Sequence, residues 1–201
     1  MNKFILLTMI CLAVAAGALG FLVSPAKVAS SDFYAPAITD NGQGALVKFR
    51  ATLIPGTGKT LVNIQNAQYR EDTENALRKA KKNAEDYLGI RFAFYDVILD
   101  VEGIGSEVGG ESAGAMFTVG IISAYTGKKI DASATMSAGV TENGLLFAVD
   151  SIEEKIIAAK NSGKKKFIVA ATQNIKSPEF ASGIEIINVI DVKEAVKNLL
   201  N

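Results

Sequence analysis

From Phe4 to Val23 the chain runs without a single charged residue, and this run limits the architecture more than any other feature. A helix that crosses a bilayer needs about 20 predominantly apolar residues. Ile5, Leu6, Leu7, Ile10, Leu12, Val14, Leu19, Phe21 and Leu22 supply most of them here. The chain therefore reads as an anchor followed by a domain: residues 1–31 as signal anchor or signal peptide with the start of a linker, and 32–201 as one folded unit. Lys3 and the terminal amine precede the run, which keeps the N-terminus cytoplasmic and carries the remainder across the membrane. The expected location is a single-pass membrane protein with its domain outside the cytoplasm. Cleavage near Val28-Ala29-Ser30-Ser31 would instead give a secreted domain. Cys11, the single cysteine, falls inside the run and reads as one more apolar residue.

Lys+Arg and Asp+Glu both number 21, so no net field draws this chain to nucleic acid. The clusters Arg78-Lys79-Ala80-Lys81-Lys82 and Lys164-Lys165-Lys166 lie in or beside predicted helices and read as solvated faces. Ser24 to Gln43, with Pro25, Pro36 and small polar residues, reads as a linker. Strands are predicted over 45–54 and 60–64, joined at Pro55-Gly56, and again over 92–101, 167–171 and 184–190. Helices are predicted over 72–88, capped by Asp72 or Thr73 and stopped by Gly89, over 112–125, over 151–162 after a cap at Asp150 or Ser151, and over 191–200. Ala76, Leu77, Ala80, Ala84 and Leu88 form one apolar stripe on the first of these. Strands and helices mix without an internal repeat, which makes the fold class α+β, or mixed α/β.

The sequence contains no histidine. That excludes a Ser-His-Asp triad, and with one cysteine it also excludes a Cys/His metal site, so neither metal nor cofactor is expected. Pro55-Gly56-Thr57-Gly58-Lys59-Thr60 resembles the end of a phosphate-binding loop. The full motif needs a glycine five positions before Gly58, where Leu53 stands, and a helix after Thr60, where a strand is predicted. A nucleotide-binding reading therefore rests on an incomplete motif. Two other residues carry more chemistry. Ser112 follows Gly109, Gly110 and Glu111 at the opening of an apolar helix, where backbone amides could hold an oxyanion. It could equally be a plain N-cap. Lys155 sits beside the stripe formed by Ile152, Ile156 and Ala159. Burial there would lower its pKa and make it a base, whereas a lysine that snorkels to solvent would have no such role.

Gly110-Glu111-Ser112-Ala113-Gly114-Ala115-Met116 and Glu154-Lys155-Ile156-Ile157-Ala158-Ala159 resemble the two catalytic segments of the Lon protease family, the Ser-Lys peptidases. The similarity extends back through Asp100-Val101-Glu102-Gly103 and the strands around Pro55-Gly56. It extends forward through Ser123-Ala124-Tyr125-Thr126-Gly127 to Phe167-Ile168-Val169, covering roughly 45–201. The resemblance implies a Lon-type proteolytic domain with Ser112 as nucleophile and Lys155 as general base. Ser137 then takes the place of a family threonine whose hydroxyl helps hold the lysine. Glu111 matches the acidic residue that precedes the nucleophile in archaeal-type members, with Gly110 before it. Ser137-Ala138-Gly139 departs from the family's Thr-Gly-Glu, and Ala148-Val149-Asp150-Ser151 from its Pro-x-Gly-Gly. The family commonly assembles as a hexameric ring, so a homo-oligomer is implied.

With no ATPase domain ahead of the proteolytic segment in these residues, the expected function is that of a membrane-anchored, ATP-independent serine endopeptidase. Its substrates would be peptides or unfolded and flexible protein segments. The alternative expectation is a non-catalytic Lon-fold scaffold or peptide-binding protein at the membrane, motivated by the departures at 137–139 and 148–151.

Overall fold

The computed structural model describes residues 28–64, 68–69, 71–102, 107–108 and 110–201. The expected span Phe4–Val23, with Cys11 inside it, lies outside the described residues, as do Lys3, Pro25, Lys27, Gly103 and Gly109. No helix among the described residues is long and apolar enough to cross a membrane.

Strand β1 (Ala29–Ile38) occupies a stretch expected to be linker, and it begins three residues ahead of the expected start of the domain. It pairs antiparallel with β2 (Gly44–Pro55) from Ala29↔Leu53 to Ile38↔Gly44. The prolines and small polar residues concealed this strand. Pro36 is tolerated because β1 is an edge of its sheet, and Phe33 and Ala35 alternate inward to the core.

Strand β3 (Thr60–Ile64) follows, then β4 (Gln68–Tyr69) and helix α1 (Glu71–Leu88). Strand β5 (Tyr95–Glu102) inserts between β2 and β3, antiparallel to the first and parallel to the second. The turn at Pro55-Gly56 is therefore not a hairpin, because β5 fills the position between the strands it connects. Asp96 of β5 organises that turn. Its Oδ1 accepts from the amides of Thr57 and Lys59, both at 2.8 Å. A Cβ on Gly56 would lie 2.2 Å from the Asp96 carboxyl carbon, so the turn wraps directly over this side chain. Two amides that a phosphate would need are already satisfied by a carboxylate, and the phosphate-loop reading falls on that geometry.

Helix α1 starts at Glu71, so the expected caps Asp72 and Thr73 lie within its first turn. Its stripe of Ala76, Leu77, Ala80 and Ala84 is buried, and Gly89 ends it in the left-handed region. Strand β6 (Glu107–Val108) pairs with β4. A 3₁₀ turn over Glu111–Ala113 then leads into α2 (Gly114–Thr126). Every residue of α2 from Gly114 to Ala124 is buried, as a helix apolar all round must be. It packs on β1, β2 and α1. Phe33 and Phe49 stack at 5.7 Å, and Phe117 of α2 meets both edge-on.

The second half contributes β7 (Ala134–Ser137), β8 (Gly139–Val140), β9 (Leu146–Phe147), α3 (Ile152–Asn161), β10 (Lys166–Ala170), β11 (Glu185–Val189) and α4 (Val192–Leu199). Strands β7, β10 and β11 form a parallel sheet with β10 central. Ile152, Ile156 and Ala159 of α3 form a second apolar cluster with Phe167, Val169 and Ile184. On its other side α3 approaches β1 and β2. The architecture is the expected mixed α/β class.

Candidate active site

Three regions far apart in the chain meet around one cleft of about 570 Å³. The end of β1 and the following turn supply Ala37 to Asp40. The 3₁₀ turn supplies Gly110, Glu111 and Ser112, and the loop from β9 into α3 supplies Phe147 to Ser151. Lys155, one turn into α3, completes the lining.

Ser112 occupies the 3₁₀ turn itself. The residues at the N-cap positions of the turn and of α2 are Gly110 and Ala113, and neither position holds a side-chain cap. The reading of Ser112 as a plain N-cap is thereby removed. Gly110 has φ 99° and ψ 151°, a backbone region essentially confined to glycine. The approach to the serine therefore depends on that residue type. Downstream, the Ser112 carbonyl accepts from the Ala138 amide at 3.0 Å and from the Ser137 hydroxyl at 3.4 Å. Ala115 in turn donates to the Ala138 carbonyl at 3.2 Å. Fully buried Ser137 thus bonds to the backbone of Ser112.

Lys155 is only 5% exposed. Desolvation pushes its pKa below the ordinary lysine value of 10.5, and the nearby charges of Asp150 and Glu154 oppose that shift in part. The ammonium form is the one penalised, so burial moves this side chain toward the state a general base requires. Its Nζ donates to the Asp150 carbonyl at 3.0 Å. Among the described residues the hydrogen bonds of Ser112 and Lys155 do not include one to each other, although both line the same cleft. A neutral amine that gives one N–H to Asp150 still has its lone pair free. Catalytic hydrogen bonds are often long in the absence of substrate and tighten when it binds.

Ser151, the N-cap of α3, has φ 55° and is the one non-glycine with positive φ among the described residues. It stands where the segment Ala148-Val149-Asp150-Ser151 departs from a glycine-containing pattern, and the backbone keeps the glycine-like conformation. Its hydroxyl makes no capping bond, so its role as cap is positional only. Glu111 is tied to α1, where Lys79 Nζ donates to Glu111 Oε1 at 2.5 Å. The sequence reading missed Lys79, because helical spacing alone puts it in a solvated charge cluster. It also missed Ala37 to Asp40, hidden in the expected linker. No group of three or more potential metal ligands occurs among the described residues.

Comparison with known proteins matches this arrangement to one family. The model of the Lon protease (S16) C-terminal proteolytic domain matches residues 35–201. The Lon protease of Lachnoclostridium phytofermentans is 26% identical over 168 residues, 78% of this chain and 20% of that protein. The Lon protease of Mycoplasma genitalium is 31% identical over 157 residues, 75% of this chain and 20% of that protein. Lon protease 2 of Bacillus subtilis is 28% identical over 176 residues, 82% of this chain and 32% of that protein. The chain thus spans only a fifth to a third of the length of these curated relatives. Through the match along nearly all of its described length, the chain belongs to the Lon protease (S16) family by its C-terminal proteolytic domain.

Proposed function

We propose that this protein is a membrane-anchored, ATP-independent serine endopeptidase that cleaves unfolded or flexible protein segments with a Ser112–Lys155 dyad. The observation that carries the reading is a desolvated lysine in the wall of the cleft that Ser112 also lines. Ser112 Oγ attacks the scissile carbonyl carbon while the neutral Lys155 Nζ takes its proton. Backbone amides of the 3₁₀ turn hold the oxyanion, aided by the N-terminal end of α2. The tetrahedral intermediate collapses as Lys155 returns the proton to the leaving amine. Water, deprotonated by the same amine, then releases the acyl group and regenerates the serine. Gly110 keeps the approach narrow, and Ser137 positions the serine backbone.

The anchor reading rests on the apolar run Phe4–Val23 and places the domain outside the cytoplasm. The closure of the Thr57–Lys59 turn over Asp96 argues against nucleotide binding at Lys59. A homo-oligomer follows from family membership, and exposed Phe94, Leu145 and Ile190 offer apolar surface for it. The full chain in detergent, incubated with a disordered protein and neither nucleotide nor metal, should cleave it. Ser112→Ala and Lys155→Ala should not. The missing Ser112–Lys155 hydrogen bond favours a second reading, a non-catalytic scaffold. Equal peptide binding by wild type and Ser112→Ala, with no cleavage by either, would establish that reading.

A further inference from the structure

The nucleophile turn is held from two sides, and the two sides differ in kind. Downstream, backbone and hydroxyl bonds from Ala138 and Ser137 grip the Ser112 carbonyl. Upstream lies Gly110, with no side chain and a backbone conformation open to little else. Among the described residues, the side-chain tether of this upstream half is the ion pair between Glu111 and Lys79. Lys79 is itself set on a rigid support. Ala76, Leu77, Ala80 and Ala84 of the same helix are buried. Asn83 Nδ2 donates to both the Lys79 and the Thr141 carbonyls, each at 2.8 Å, and Lys82 Nζ donates to the Glu142 carbonyl at 2.8 Å. Helix α1 is thereby tied both to the turn that carries Ser112 and to the segment after β8.

We infer that Lys79 is a positioning residue for the nucleophile: it acts through Glu111 to fix the 3₁₀ turn that aims Ser112 Oγ into the cleft. The inference rests on the peptidase reading for its catalytic consequence, but its structural content stands apart from it. Lys79 and Glu111 are about one-third exposed, and ion pairs of that kind contribute little to global stability. Removal of the pair should leave the fold intact and loosen the turn. Misplacement of a reacting atom by about 1 Å can cost up to 10²-fold in rate.

Two measurements on the full-length protein test this. Hydrogen exchange should quicken in Lys79→Met at the amides of Gly114 and Ala138, which donate to the Glu111 and Ser112 carbonyls, while the amides of α2 beyond its first turn and of β10 keep their protection. Unchanged exchange at Gly114 and Ala138 would overturn the inference whether or not the protein is an active peptidase. On the disordered substrate, Lys79→Met should lower kcat about tenfold with KM within about twofold. Glu111→Gln should do the same, and the double variant should lose no more than either alone. The exchange Lys79→Glu with Glu111→Lys should recover part of the rate. Wild-type kcat in Lys79→Met, or losses that multiply in the double variant, would refute the role. Absence of cleavage by the wild type would refute the peptidase reading alone, with the exchange result still deciding the positioning.

Discussion

Gly44, at the start of β2, is predicted to control the position of α3, the helix that carries Lys155. A Cβ built there would lie 2.1 Å from the Glu154 carbonyl oxygen, 2.7 Å from its carbon and 3.0 Å from the Ala158 Cβ. Glu154 immediately precedes Lys155, and the atoms met are backbone, so no side-chain rotation relieves the clash. Because Cβ contacts under 3.0 Å essentially never occur, Gly44→Ala must separate β2 and α3 by about 1 Å. Strand β2 is fixed by its pairing with β1 and β5, while α3 meets solvent on one face, so the helix is the element that moves. Overpacking of this kind costs about 1–3 kcal/mol, a fall in Tm of about 3–10 °C for a domain of this size. If Lys155 shifts with its helix, kcat should drop up to about 10²-fold. Initial rates on an unfolded protein, read beside the thermal melt, give both quantities. A Gly44→Ala protein that melts and cleaves like the wild type would show that the turn before β2 yields instead, and would refute this coupling.

Lys155→Met should abolish cleavage and raise stability near pH 7 by on the order of 1 kcal/mol, because it removes a buried amine while keeping an unbranched side chain. The sign follows from the lowered pKa. Between the folded value and 10.5 the unfolded chain binds a proton that the folded protein has shed, so wild-type stability climbs with pH and the advantage of methionine narrows toward 10.5. Melts at pH 7 and above pH 10 check this, and wild-type cleavage should rise as pH passes up through the folded value, where Lys155 deprotonates, and level off above it. Ser151→Gly should hold or raise stability by up to about 1 kcal/mol, since αL backbone strain is relieved against a larger unfolded-state entropy. Ser151→Val should instead destabilise, as chemical denaturation will report. Asp96→Asn should lower Tm at neutral pH, because the amides of Thr57 and Lys59 hold the Asp96 carboxyl below its ordinary value. The stabilisation from Asp96 is present above pH 3.8 and lost as pH falls through the folded value, so wild type and variant should converge in acid.

Residue type and local period made much of the site legible in advance. The absence of histidine turned the search from a triad to a lysine, and Ile152, Ile156 and Ala159 put Lys155 beside an apolar stripe. The buried stripe of α1 also followed from spacing, which depends on neighbours three and four residues away, and the apolar character of α2 from its composition. What failed was a reading in which a local cue had two tertiary outcomes: Pro36 signals a linker unless an edge strand accepts it. Pro55-Gly56 marks a turn between two strands, and the local sequence does not say that a third lies between them.

The sequence by itself determined which groups were available for chemistry, where the four helices lie and where five of the strands lie. The tertiary structure decided the rest: that β1 belongs to the sheet and lines the cleft, that Asp96 occupies the phosphate-like turn, that Glu111 faces Lys79, and that Ser112 and Lys155, 43 positions apart in the chain, share one cavity. The base-like character of Lys155 belongs to this second group. Burial lowers a lysine's pKa by excluding water from its amine, and the segments that meet around Lys155 include one more than 100 residues away in the chain, Ala37 to Asp40.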